Sequence, residues 1–166
     1  ASDVYKRQLS DSPPNRDMEW SDAGIDGSWR FLNKLWKFVQ NLNVNNNSND
    51  LPKNLSQPNK KLLGTLNIRV KEITQSIDDF HFNNAVASIR SLFNSILSYN
   101  IIDESDEKVV LYTTKKLLIL INPMVPHIAE ELWEKLDKSK MICNQAWPEV
   151  DDNYLQKNNV DIPVQV

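Results

Sequence analysis

Apolar positions recur along most of this chain at steps of three and four, the period of a helix that buries one side. In the first such stretch Ile25, Trp29, Leu32, Trp36 and Val39 share one side, while Arg30, Lys34 and Lys37 fall together on roughly the opposite one. Ser21 and Asp22 can cap its start, so the pattern predicts a helix from about Ala23 to Leu42. Its expected arrangement puts Trp29 and Trp36 in a multi-helix core and leaves the three cations in solvent. A second stripe runs through Leu62, Leu66, Val70, Ile73 and Ile77. After a tight connection at residues 78–83, a third carries Val86, Ile89, Leu92 or Phe93, and Ile96 to about Tyr99. A connection that short makes neighbouring helices antiparallel.

The fourth stripe begins near Ser105, a suitable cap, with Asp106 and Glu107 placed to favour the positive end of the helix dipole. It continues through Val110 and Leu117 to Ile121, where Pro123 removes a backbone donor. Pro126 suits the first turn of a fifth helix, whose Ile128, Leu132, Trp133 and Leu136 point inward. Between the first two stripes, residues 43–59 are dense in Asn, Ser and Pro and have no period, which reads as a mobile loop. At the far end Val160, Ile162, Val164 and Val166 alternate with polar residues or proline, the period of a strand. The expectation is an all-α, up-down bundle of about five helices with a short irregular, strand-like extension.

Composition narrows the chemistry. Three glycines in 166 residues favour helices over a turn-rich fold, and one cysteine, Cys143, can make neither an internal disulfide nor a cysteine-rich metal site, which fits a reducing, cytoplasmic setting. The longest aliphatic run, residues 117–121, is far short of a membrane span. A net charge of -3 argues against strong non-specific binding of RNA or DNA, where phosphate neutralisation supplies most of the affinity. RNA contact would have to come from a local patch, and Arg30, Lys34 and Lys37 are the candidate. An aromatic row at helical spacing suits a bundle core better than a base-stacking platform.

Other constellations are weaker. His127 with Glu130 and Glu131 lacks the second histidine of a zinc-binding helix, so no metal is expected, and His127 is expected to pack or cap at the helix start. Gly24-Ile-Asp-Gly27 reads as helix onset. Lys138-Ser-Lys-Met141 only superficially matches a nucleotide-binding loop. No Ser-His-Asp or Cys-His arrangement can be assembled, so no catalytic residue is assigned.

Four segments resemble the leucyl-tRNA synthetase family in order and spacing: residues 12–36, including Asp17-Met-Glu-Trp20-Ser-Asp22; Phe82-Asn-Asn-Ala-Val-Ala87; Asn122-Pro-Met-Val-Pro-His-Ile-Ala-Glu-Glu-Leu-Trp133; and Ala146-Trp-Pro-Glu-Val150 leading to Val160–Val166. The third is shared with the valyl and isoleucyl enzymes. The resemblance implies that residues 1–21 are a junction from a catalytic domain, 22–140 the helical anticodon-binding domain, and 141–166 a linker and first strand of a C-terminal domain. Residues 1–8 depart from the family pattern and are set aside as non-native in character. By this resemblance the parent enzyme attaches leucine to its tRNA using ATP and Mg. This segment then docks the tRNA body beside the catalytic domain of the same chain, with no membrane or DNA partner. Neither the His-Ile-Gly-His nor the Lys-Met-Ser-Lys-Ser motif occurs, so this segment alone is expected to be inactive. Asn67 stands where many relatives have His. The equivalent valyl or isoleucyl domain and a non-catalytic helical scaffold for protein partners are the competing expectations.

Overall fold

The computed structural model describes residues 22–44 and 51–155. Among the described residues five helices, α1 (Asp22–Gln40), α2 (Gln57–Asp78), α3 (Phe82–Leu97), α4 (Glu104–Ile121) and α5 (Pro126–Leu136), are followed by single 3-10 turns at Ile142–Asn144 and Asp152–Tyr154. Among the described residues there is no strand. The junction at residues 1–21 and the strand expected at 160–166 lie outside them.

Helices α2, α3 and α4 pack on one another, α5 closes on α4, and α1 lies against α5. Helix α4 is the centre: 12 of its 18 residues are buried, which its run of Leu117, Leu118, Ile119, Leu120 and Ile121 makes favourable on every side. Lys115, buried in the same helix, pairs with Asp137 just beyond α5 at 3.4 Å. Ser139 donates to Asp137, and with help from Lys115 this holds the carboxyl below its usual range.

Helix ends explain the boundaries. Ser56 caps α2, accepting from the Asn59 N–H, and Pro58 follows in the first turn. Residues 57–59 are therefore helical, so the loop is shorter than the composition suggested. The cap of α4 is Asp103, which accepts from the Asp106 N–H at 2.9 Å, and not Ser105. Ser105 instead accepts from the Asn59 amide. Val125 occupies the cap position of α5 without a side-chain bond. His127 is exposed there and neither packs nor caps. Glu130 accepts from the Ile142 N–H at 3.0 Å.

A three-residue turn joins α2 to α3. The His81 N–H bonds Ser76 O at 2.7 Å and the Phe80 N–H bonds Ile77 O at 3.0 Å, the two bonds of a Schellman stop. Phe80 sits at its left-handed position with φ 58, where glycine usually stands; an L side chain there costs about 1 kcal/mol.

Two polar clasps tie distant elements together. Tyr99, after α3, shares its hydroxyl between Asn59 Oδ1 at 2.5 Å and Asp106 Oδ1 at 2.9 Å. Burial and the neighbouring Asp106 push the Tyr99 phenol up to about 12. Burial alone would raise Asp106, but the Ile102 N–H and the Tyr99 hydroxyl outweigh it and hold the carboxyl below its ordinary value. In the second clasp, residues 147–154 lie along α2. The Trp147 indole donates to Thr74 Oγ1 at 2.8 Å, and the Asp151 N–H donates to Asn67 Oδ1 at 2.6 Å. Gly64 lets this strap approach, since a Cβ there would stand 2.9 Å from Tyr154 O. Asn67 is thus an anchor for the strap.

Candidate nucleic-acid interface

Helix α1 buries Ser28, Leu32, Leu35 and Val39, with Phe31, Phe38 and Leu42 packed partly against the core. Phe31 and Phe38 each meet Phe93 of α3 edge-on, with centroids 5.6 Å apart. This corrects the expected orientation. Trp29 is 57% and Trp36 37% exposed, and both lie about 100–120° round the helix from Leu35. Apolar residues occupy more than half the circumference of α1, so two arcs compete for the core. The winning arc supplies two aromatic pairs with Phe93. A buried indole also needs an acceptor for its N–H; Trp133 has one in Lys140 O and Trp147 has one in Thr74.

The three predicted cations come out as expected in exposure. Arg30, Lys34 and Lys37 all face solvent, and none has an ion-pair partner among the described residues. Arg30 and Lys37 lie seven residues apart and so share a stripe, with Lys34 one turn away on the Phe31–Phe38 side. Asp26 stands one turn before Arg30. At the C-terminal end of α1, Lys135 of α5 donates to Val39 O at 3.0 Å and also to Gln40 O, a cation where the helix dipole is negative. The outward side of α1 therefore carries indoles along one edge and cations along the other.

Residues of α3 that the apolar pattern did not single out line a further surface. An open groove of about 630 Å³ runs along α3, lined by Asn83, Arg90, Ser91, Asn94, Ser95 and Ser98 among others. The Arg90 guanidinium lies 5.7 Å above the Phe31 ring, which brings the groove to the flank of α1. Asn83, Arg90 and Asn94 at helical spacing were a readable signal that the strong apolar stripe of α3 overshadowed. Among the described residues, no three His, Cys, Asp or Glu side chains converge as a metal site would require.

A family model described as the anticodon-binding domain of tRNA ligases matches residues 59–166. The chain belongs to that family. Its curated relatives include the leucine–tRNA ligases of Fusobacterium nucleatum subsp. nucleatum, 36% identical over 93% of this chain, and of Paramagnetospirillum magneticum, 37% identical over 95%. That of Ehrlichia canis is 39% identical over 95%. This anticodon-binding domain spans only 18–19% of the length of those relatives. In fold it is similar to a leucyl-tRNA synthetase from Agrobacterium radiobacter, solved as a ternary complex with tRNA and LeuAMS. The TM-score is 0.81, with 22% identity over 93% of this chain and 20% of that one.

Proposed function

We propose that this chain is the tRNA-docking part of a leucine–tRNA ligase, and that Arg30, Lys34 and Lys37 hold the tRNA through its phosphates. The observation that carries the reading is the row itself: three solvent-facing cations on one helix without acidic partners among the described residues, in a member of a tRNA-ligase domain family. Phosphate contacts position a nucleic acid without reading its bases, which suits a helix face lacking a base-reading device. The full-length protein then activates leucine with ATP and Mg in a catalytic domain of the same chain. The motifs that would hold ATP are absent from this sequence, so the chain alone makes no leucyl-adenylate. Leucine is favoured over valine or isoleucine because the relatives named above are leucine–tRNA ligases. A cytoplasmic setting agrees with the single cysteine, and no described helix is long and apolar enough to cross a membrane.

The test is charge reversal, Arg30→Glu with Lys34→Glu and Lys37→Glu, in the full-length protein. Affinity for leucine tRNA should fall, and the plot of log affinity against log salt should flatten by up to about 3 units if each cation neutralises one phosphate. Unchanged affinity and slope would make the row ordinary surface and favour a protein-binding scaffold.

A further inference from the structure

Helix α4 carries two consecutive lysines into packed surroundings, and only the first is matched. Lys115 has Asp137 at 3.4 Å. Lys116, half-buried, makes no hydrogen bond or ion pair among the described residues; its ammonium lies 5.4 Å above the Tyr112 ring. It lines a half-enclosed cavity of about 80 Å³ under the strap, between Leu63, Leu66 and Val70 of α2 and Glu149 and Tyr154 of the strap. That is well above the ~10–15 Å³ that one water needs. Burial here disfavours the charged form and pushes the Lys116 ammonium below its ordinary pKa, against the opposing pull of the Glu149 carboxylate. A lysine desolvated in this way is a nucleophile, because its nitrogen more often carries a free lone pair.

We propose that Lys116 is a modification site that takes a short acyl group, such as acetyl, from an acyl thioester, and that the cavity houses the group once it is attached. After the ammonium has given a proton to water, the Nζ lone pair attacks the thioester carbonyl carbon. The N–C bond forms and the C–S bond breaks; the sulfur leaves with the electron pair and takes the proton that the nitrogen sheds. A thioester suits the site because its reacting end is neutral. Glu149 and Asp151 at the same cavity would repel an acyl phosphate. The product is a neutral amide in place of an unmatched ammonium, which removes the cost of keeping a charge away from water. Its methyl is placed to meet Leu66 and Val70, so the modified side chain tightens the strap on α2. The inference stands apart from the tRNA-docking reading, since no residue of the α1 row takes part.

The test incubates the full-length protein with the neutral thioester S-acetyl-N-acetylcysteamine across a pH series and follows each lysine by mass spectrometry. Lys116 should be acetylated about threefold faster than Lys61 and Lys71, which are exposed on α2, with the advantage largest at the lowest pH. Glu149 is exposed, so Glu149→Gln leaves the packing untouched. By removing the charge that steadies the ammonium, it should speed the reaction at Lys116 about twofold. In the acetylated protein the backbone amides of residues 149–154 should exchange hydrogen about threefold more slowly. If Lys116 reacts no faster than the exposed lysines at any pH, burial shields the amine and the proposal fails. A rate at Lys116 that Glu149→Gln does not move also overturns it. Faster acetylation with unchanged exchange upholds the site and overturns the tightening of the strap.

Discussion

Helices α1 and α4 are of similar length, 19 and 18 residues, yet they are used in opposite ways. Helix α4 is sunk in the bundle, and its buried polar groups are matched. Thr113 and Thr114 donate to Val109 O and Val110 O, both at 2.8 Å, and Lys115 has Asp137. Helix α1 lies at the margin and buries only a narrow arc. It also leaves the Ser28 hydroxyl buried without a partner. The richest aromatic content therefore sits on the helix with the most exposed face. Aromatic residues mark a surface with something to bury; they do not say whether the rest of the bundle or a partner covers it.

The widest expected gap is between truncations in the two helices. Leu118→Ala in α4, at a site with 0% exposure, should cost about 2–5 kcal/mol. Trp36→Ala in α1 should cost less, about 2 kcal/mol, because over a third of its surface is already in water. Denaturant unfolding of both variants checks this, and equal losses would put the Trp face back in the core. Next comes the start of α4. Asp106→Asn replaces a carboxylate that accepts charge-assisted bonds and should cost roughly 2 kcal/mol at neutral pH. The folded state holds this carboxyl below its ordinary value, so its contribution is complete above the unfolded value of about 3.9 and is lost as pH falls through the folded one. The gap between wild type and variant should therefore close as a pH series of melts passes below about 4. The smallest effect belongs to α1, where Ser28→Ala removes an unmatched hydroxyl and should raise stability by about 1 kcal/mol.

Much of the bundle was legible in the chain. The stripes of α2 and α3 are buried where the three-four spacing put them, at Leu62, Leu66, Val70, Ile73, Val86, Ile89, Leu92, Phe93 and Ile96. Pro123 and Pro126 bracket the break between α4 and α5. Those helices have one apolar arc, so periodicity has one solution. Helix α1 has two, and choosing between them depends on Phe93, which lies in another helix. Local spacing cannot carry that information. The caps failed for a related reason. Asp103 and Ser105 are both competent N-caps, and the long-range bonds of Tyr99 and Asn59 to Asp106 and Ser105 select the first. For the interface, exposure of Arg30, Lys34 and Lys37 followed from charge alone. The Arg90 groove depends on α1 lying beside α3, which only the assembled bundle reveals.

The central claim, that the cationic edge of α1 meets RNA phosphates, is tested most directly by lysine acetylation of the full-length protein with and without leucine tRNA, followed by mass spectrometry. Lys34 and Lys37 should lose reactivity when tRNA is added, while the exposed Lys61 and Lys71 of α2 keep theirs. Unchanged labelling of Lys34 and Lys37 at saturating tRNA would contradict the account.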